Sequence, residues 1–273
     1  ERTVVGTTDT DYSGAPDDVA ADPADVAYIC EHIAEFFPGA ALTPADVLAT
    51  WAGLRPLIDS GSARVHEVSR EHEIFAGDDG VVVIAGGKLT TYRRMAKDTV
   101  DRVVELLELR GDAAFDGRTI TGCRTKHRPL PGAQGLAAPG TKGVAQVARR
   151  LEETGAVTTR VAQHLAEAYG NRADGVLARG NDDPSLLQRI DPELPYLWAE
   201  VEHAVAVDLA RTVEDVLVRR IPLCLRGRDQ GLGAAERVAD RLAAHLGWSP
   251  DERAGHLADY RSYVASTRRF RNA

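Results

Sequence analysis

The segment from Ile84 to Arg94, Ile-Ala-Gly-Gly-Lys-Leu-Thr-Thr-Tyr-Arg-Arg, holds the residues best suited to chemistry in this chain. Gly86 and Gly87 follow an apolar run, and two consecutive glycines let a backbone approach a ligand without interference from Cβ. A helix beginning just behind them would offer free N–H groups and the positive end of its dipole to an electron-rich or anionic group. Lys88 adds a charge there, and Thr90 and Thr91 add hydroxyls. The same residues also read as a tight strand-to-helix turn with a Thr N-cap, and the pattern alone leaves both readings open. A nucleoside-triphosphate loop is excluded, because Val82 stands where its first Gly belongs and Leu89 follows the Lys. No G-x-G-x-x-G occurs. Gly231-Leu232-Gly233-Ala234-Ala235-Glu236 follows no strand and reads as a helix start.

A second group is Trp51-Ala52-Gly53-Leu54-Arg55-Pro56-Leu57. Pro56 biases Arg55 toward an extended backbone, from which a guanidinium can fork onto phosphate or carboxylate. A surface Arg lying over Trp51 is the other reading. Arg70, within Ser69-Arg70-Glu71-His72, is a similar candidate, set against an ordinary Glu-His strand face. Arg219-Arg220 ends a helical run and suits the helix C-terminus. The eight histidines show no ligand spacing, and neither a metal pair nor a Ser-His-Asp arrangement can be argued. Cys30, Cys123 and Cys224 form no C-x-x-C, so zinc and iron–sulfur spacings are missing and a reducing compartment fits.

These residues need elements to position them. Arg2 to Thr8 alternates and is rich in β-formers, which predicts a strand. Asp22-Pro23 starts a helix that carries Val26, Ile29, Ile33, Phe36 and Phe37 and stops before Pro38-Gly39. Thr43-Pro44 starts a shorter one. Arg64 to Phe75 reads as strand, and Val81 to Ala85, apolar at every position, as a strand buried on both faces. Tyr92 to Leu109 has helical spacing. Residues 111–143 are rich in Gly and Pro. Beyond them, segments 144–153, 158–169, 194–218 with a break, 233–246 and 250–269 read as helices, punctuated by Gly170, Gly231 and Gly247. The outline is an α/β part followed by an all-helical part.

The 273 residues are 44% hydrophobic and 27% charged, a globular composition. The formal charge of −8 disfavours a nucleic-acid surface. Only four basic residues are Lys, which a GC-rich genome or a salt-adapted host would explain equally. Apolar runs fall short of the ~20 residues that span a bilayer. The opening Glu1-Arg2-Thr3-Val4-Val5 lacks Met and reads like mid-strand, so the chain is expected to be a piece of a longer protein.

Taken together, Gly6-Thr7-Thr8-Asp9, the Trp51 to Leu57 block and Gly86-Gly87-Lys88-Leu89-Thr90-Thr91-Tyr92-Arg93 resemble, in order and spacing, the downstream half of the flavin-dependent glycerol-3-phosphate dehydrogenase family. Leu130-Pro131-Gly132, Tyr169-Gly170 and Glu214-Asp215-Val216-Leu217-Val218-Arg219-Arg220 resemble its C-terminal helical domain. The fold implied is the C-terminal part of an FAD/substrate-binding domain of the D-amino-acid-oxidase type, residues 1–121, followed by a helical domain, residues 122–273. The reaction implied is oxidation of sn-glycerol 3-phosphate to dihydroxyacetone phosphate, with hydride passing to FAD and electrons to a quinone or electron-transfer partner. Gly86, Gly87, Lys88, Leu89, Thr90 and Thr91 match the loop against the isoalloxazine ring. Arg55 matches a phosphate ligand, Arg70 and Lys88 match pocket residues, and Thr8 and Asp9 are expected to shape the pocket.

The family's N-terminal G-x-G-x-x-G is not in this chain, nor is a general base that can be named, so the chain alone is expected to be inactive. The cysteine-rich extension of the three-subunit form is also missing. The resemblance allows a cytoplasmic protein, peripheral on the inner face of the cell membrane, and a homodimer. Two other readings compete. One is a sister amine or hydroxy-acid oxidase that uses Arg55 for a carboxylate. The other is a non-catalytic helical interaction module with no cofactor.

Overall fold

Local signals set most helix ends in the computed structural model, which describes residues 2–55, 71–109, 120–137 and 140–271. Helix α1 (Pro23–Phe36) begins at Asp22, whose carboxylate accepts from Asp25 N while the Asp25 side chain accepts from Asp22 N. Helix α9 (Pro250–Ser266) begins with the same reciprocal cap between Ser249 and Glu252. Both carry Pro in the first turn, where its missing N–H costs nothing. Thr43-Pro44 yields only a 3₁₀ turn, Pro44–Asp46. On α1, Val26 is buried and Ile29 and Ile33 half-buried, but Phe36 and Phe37 at the helix end are exposed.

The chain divides into two compact units, Leu54–Leu130 and the remainder, Glu1–Gly53 with Pro131–Ala273. In the smaller unit, strands β1 (His72–Ala76) and β2 (Val82–Gly86) pair antiparallel, with His72 opposite Gly86 and Ala76 opposite Val82. The hairpin turns at Gly77–Gly80, where Gly80 N donates to Gly77 O at 3.0 Å and Val81 N to Asp79 Oδ1 at 3.0 Å. Helix α2 (Tyr92–Leu109) packs against both strands. Strand β2 is not buried on both faces as expected. Val82 and Ile84 turn partly inward, whereas Val81 and Val83 are 55% and 41% exposed. A hairpin covered by one helix among the described residues has one buried side only. The strand expected over 64–75 is present from His72; residues 64–70 lie outside the described residues.

The larger unit is helical and contains the main core. Its helices are α1, α3 (Gly140–Glu153), α4 (Thr159–Tyr169), α5 (Ala173–Leu177), α6 (Trp198–Ala206), α7 (Leu223–Arg226), α8 (Leu232–Leu246) and α9. On α4 the buried positions are Val161, Ala162, Leu165 and Ala166, and on α8 they are Ala234, Ala235, Val238, Ala239 and Leu242. Both sets follow the helical period, so each helix turns one apolar stripe to the core. Leu151, Leu165, Leu197, Leu217, Ile221, Leu242 and Tyr260 are fully enclosed. The break expected within 194–218 falls after Ala206. The helix restarts where Asp215 N donates to Thr212 Oγ1 and the Asp215 carboxylate accepts from Arg211 N and Thr212 N, leading into a π-helical turn, Asp215–Arg220.

The strand expected over Arg2–Thr8 does not form; no regular element occurs there. An extended segment becomes a strand only beside another strand, and among the described residues β1 and β2 pair only with each other. No helix of the described residues is long and apolar enough to cross a membrane.

Candidate active site

The Gly86–Thr91 loop leaves β2 with two successive left-handed residues, Gly86 at φ +72° and Gly87 at φ +83°. Residues with a Cβ pay for that conformation, which is why the strand can turn so sharply into the helix only with glycine. A Cβ on Gly87 would also meet Met95 Sδ at 2.6 Å and His72 Cβ at 3.3 Å. Lys88 resumes an extended backbone, Leu89–Thr91 form a 3₁₀ turn, and α2 follows directly. The Thr N-cap reading fails: Thr91 N and Thr91 Oγ1 both donate to Lys88 O, each at 2.9 Å. The Thr91 hydroxyl proton is thereby committed inside the turn, not turned outward as the sequence suggested. Leu89 is 88% exposed, and Lys88 and Thr90 are exposed.

Charge around the loop is arranged by α2. Arg94 Nε donates to Asp98 Oδ2 at 2.7 Å, and Lys97 pairs with Asp101. The bond from Arg94, with its charge, outweighs partial desolvation and holds the Asp98 carboxyl below the usual range. His72 Nε2 lies 3.2 Å from the same Asp98 oxygen, which ties β1 to α2 across the base of the loop. Lys88 and Arg93 pair with no carboxylate among the described residues; Arg93 instead donates to Thr125 Oγ1 at 3.3 Å. The Cys123 thiol sits 3.1 Å from the same hydroxyl and is pulled down by hydrogen bonds from Thr125 and then by the Arg93 and Lys97 charges. Among the described residues, Lys88 and Arg93 thus leave positive charge without a carboxylate at the helix start, beside an open glycine backbone.

The structure places the other sequence candidates as follows. Arg55 and Trp51 are both exposed. Arg70 lies outside the described residues. Asp9 is exposed and Thr8 half-buried, in the larger unit. Sequence reasoning missed Asp98, read Met95 only as part of the helical spacing of 92–109, and read His72 only as a strand-face residue. His72 and Asp98 are 26 positions apart, so no local pattern links them. Among the described residues no group of His, Cys, Asp and Glu is placed to hold a metal ion.

Other histidines pair with glutamates in the larger unit. Glu200, 1% exposed, accepts from Leu197 N at 2.7 Å and from Tyr169 OH at 3.0 Å, and its Oε1 lies 2.7 Å from His164 Nε2. Burial first, and then the Glu200 charge, push the Tyr169 phenol up. These contacts join α4 to α6 and belong to packing.

Known proteins supply the context for this geometry. Residues 1–93 match the family model described as FAD dependent oxidoreductase, and residues 123–253 match the C-terminal domain of alpha-glycerophosphate oxidase. The chain is 31% identical to a Synechocystis sp. glycerol-3-phosphate dehydrogenase over 96% of its length, covering 45% of that protein. It is 34% identical to glycerol-3-phosphate dehydrogenase 2 of Mycobacterium tuberculosis, covering 96% of this chain and 42% of that one. The crystal structure of the glycerol-3-phosphate dehydrogenase from Bacillus halodurans complexed with FAD superposes with a TM-score of 0.72 at 27% identity, over 96% of this chain and 48% of that chain. The chain thus spans less than half the length of each of these relatives. In sequence and in fold the chain is similar to part of the FAD-dependent glycerol-3-phosphate dehydrogenases.

Proposed function

We propose that the protein carrying this chain oxidises sn-glycerol 3-phosphate to dihydroxyacetone phosphate, and that the chain supplies the flavin-facing loop and part of the substrate pocket. The observation that carries this reading is the Gly86–Leu89 loop, with two left-handed glycines and an exposed Lys88 that no carboxylate neutralises among the described residues. That donor set, bare backbone and cation at a helix start, fits the electron-rich pyrimidine edge of FAD. FAD, when bound, supplies the two-electron acceptor for the hydride leaving C2 of the substrate. Gly86, Gly87, Lys88, Leu89, Thr90 and Thr91 would hold it, and the start of α2 would favour the negative charge of its reduced form. Arg55 would fork onto the substrate phosphate, with Arg70 and Lys88 as further substrate ligands. We assign residues 1–121 to the FAD/substrate domain and 122–273 to the helical domain; the two family-model ranges support the division. The family resemblance supports a quinone or electron-transfer partner as acceptor, a cytoplasmic protein peripheral to the membrane, and a homodimer.

The test is the absorbance spectrum of the intact protein before and after glycerol 3-phosphate, without air. The expected result is a flavin band that bleaches. A band that stays oxidised with this substrate but bleaches with an amino or hydroxy acid would overturn the reading in favour of the sister oxidases, and well-folded protein without flavin would leave only the interaction module. The 273-residue chain alone is expected to reduce no dye.

A further inference from the structure

Four arginines of the larger unit converge on one cavity of about 350 Å³, lined by Arg2, Arg160, Glu193, Leu194, Arg226 and Arg228. Its volume falls within the range of small-ligand sites. Two of the guanidiniums are fixed by the fold. Arg2 Nε donates to Arg226 O at 3.0 Å and Arg2 NH2 to Glu193 Oε2 at 2.8 Å. Arg226 NH1 donates to Tyr196 OH at 2.9 Å, and its guanidinium carbon stands 5.8 Å from the centre of that ring; Tyr196 is itself 1% exposed. Arg228 reaches both Glu193 oxygens, at 3.1 and 3.3 Å. Arg160 is exposed and makes no ion pair among the described residues.

Among the described residues that line the cavity, guanidiniums outnumber carboxylates: Glu193 is the single carboxylate, and Arg2 and Arg228 both donate to it. Arg160 sits in the first turn of α4, where the helix dipole opposes a cation and where no side chain caps the free N–H groups. Arg2 and Arg226 are held by the fold, while Arg160 and Arg228 are exposed and can turn toward an anion; guanidinium forks match the several oxygens of a phosphoryl group better than a lone carboxylate does.

We propose that this cavity binds the phosphoryl group of a small, multiply charged anion. The site uses none of the residues assigned to flavin or glycerol 3-phosphate and does not rest on that reading. The test uses the intact protein loaded with flavin, titrated with pyrophosphate by calorimetry at constant ionic strength, with flotation on phosphatidylglycerol vesicles as a second arm. Arg160→Gln is expected to weaken pyrophosphate binding several-fold and Arg160→Gln with Arg228→Gln at least tenfold. Arg253→Gln, which removes a paired surface arginine elsewhere, should leave it unchanged. Because Arg160 has no ion-pair partner among the described residues, its variant should melt at the wild-type temperature. Loss of vesicle flotation in the same variants, without pyrophosphate heat, would assign the phosphoryl group to a lipid headgroup. Failure of the wild type to bind either probe, or equal loss in Arg253→Gln, would overturn the proposal.

Discussion

Gly87 presses its α-carbon against the side chain of Met95, in the first turn of α2: a Cβ there would stand 2.6 Å from Met95 Sδ. The contact and the left-handed backbone at φ +83° both demand glycine, but they do not weigh equally. Met95 Sδ is the far end of a flexible chain and can swing away, whereas the backbone strain, about 1–2 kcal/mol, has no such relief. Gly87→Ala is therefore expected to lower the melting temperature of the intact protein by several degrees and to reduce bound flavin. Adding Met95→Ala should recover only a minor part of either loss. Full recovery would show that contact, not backbone conformation, selects the glycine.

Gly132 and Gly170 form a tighter pair in the larger unit. A Cβ on Gly132 would lie 2.7 Å from Tyr169 O, and one on Gly170 would collide with the Gly132 carbonyl, at φ +55°. Backbone faces backbone, so no side chain can yield. Gly170→Ala should cost about 2–4 kcal/mol, more than Gly87→Ala, read as a fall in the urea midpoint. An unchanged midpoint would contradict the packing described.

Glu200 is the acceptor for three groups, two side chains from α4 and the backbone N–H of the residue before α6. Glu200→Ala strands the Leu197 N–H and the Tyr169 hydroxyl in a buried setting, at a cost of roughly 3 kcal/mol or more. Glu200→Gln keeps the shape and one acceptor oxygen and should lose clearly less. Denaturant unfolding of both variants checks the order, which would reverse if the site tolerated a cavity better than an amide.

Acid should destabilise the larger unit in two stages. Burial holds His203 below its ordinary value of 6.5, with Nδ1 enclosed and lacking a partner among the described residues. Burial works against the Glu202 charge, but hydrogen bonds from His245 and Arg241 outweigh it and leave its carboxyl below 4.5. Both folded-state values are depressed, so both contributions are complete above the unfolded values and are lost as pH falls through the folded ones. The urea midpoint is expected to stay level from pH 8 to about 6.5, to fall below that as His203 is forced to charge, and to fall again below about 4.5. His203→Gln should flatten the first decline and leave the second.

Much of the helical architecture was legible because its signals are local. Asp22-Pro23 announced α1, and the period from Tyr92 to Leu109 matched α2 at both ends. The glycine pair before α2 was legible as a conformational demand, and both residues are left-handed in the structure. The β-rich alternation of Arg2–Thr8 misled, because a strand needs a neighbour that the residues themselves cannot specify. The apolar run Val81–Ala85 misled for a related reason: hydrophobicity shows what can be buried, while the layers present decide what is.

Sequence by itself thus determined most of the helices, the Asp22 cap, the glycine-lysine loop and, through motif order, the family resemblance. Tertiary structure alone decided which distant groups meet. It joined His72 to Asp98, set Gly132 on Gly170, tied Glu200 to His164 and Tyr169, and brought Arg2, Arg160, Arg226 and Arg228 around one cavity. The physical reason is the same in each case. Caps and periods act over one or two turns of chain, whereas these contacts exist only after packing has closed loops of tens to hundreds of residues.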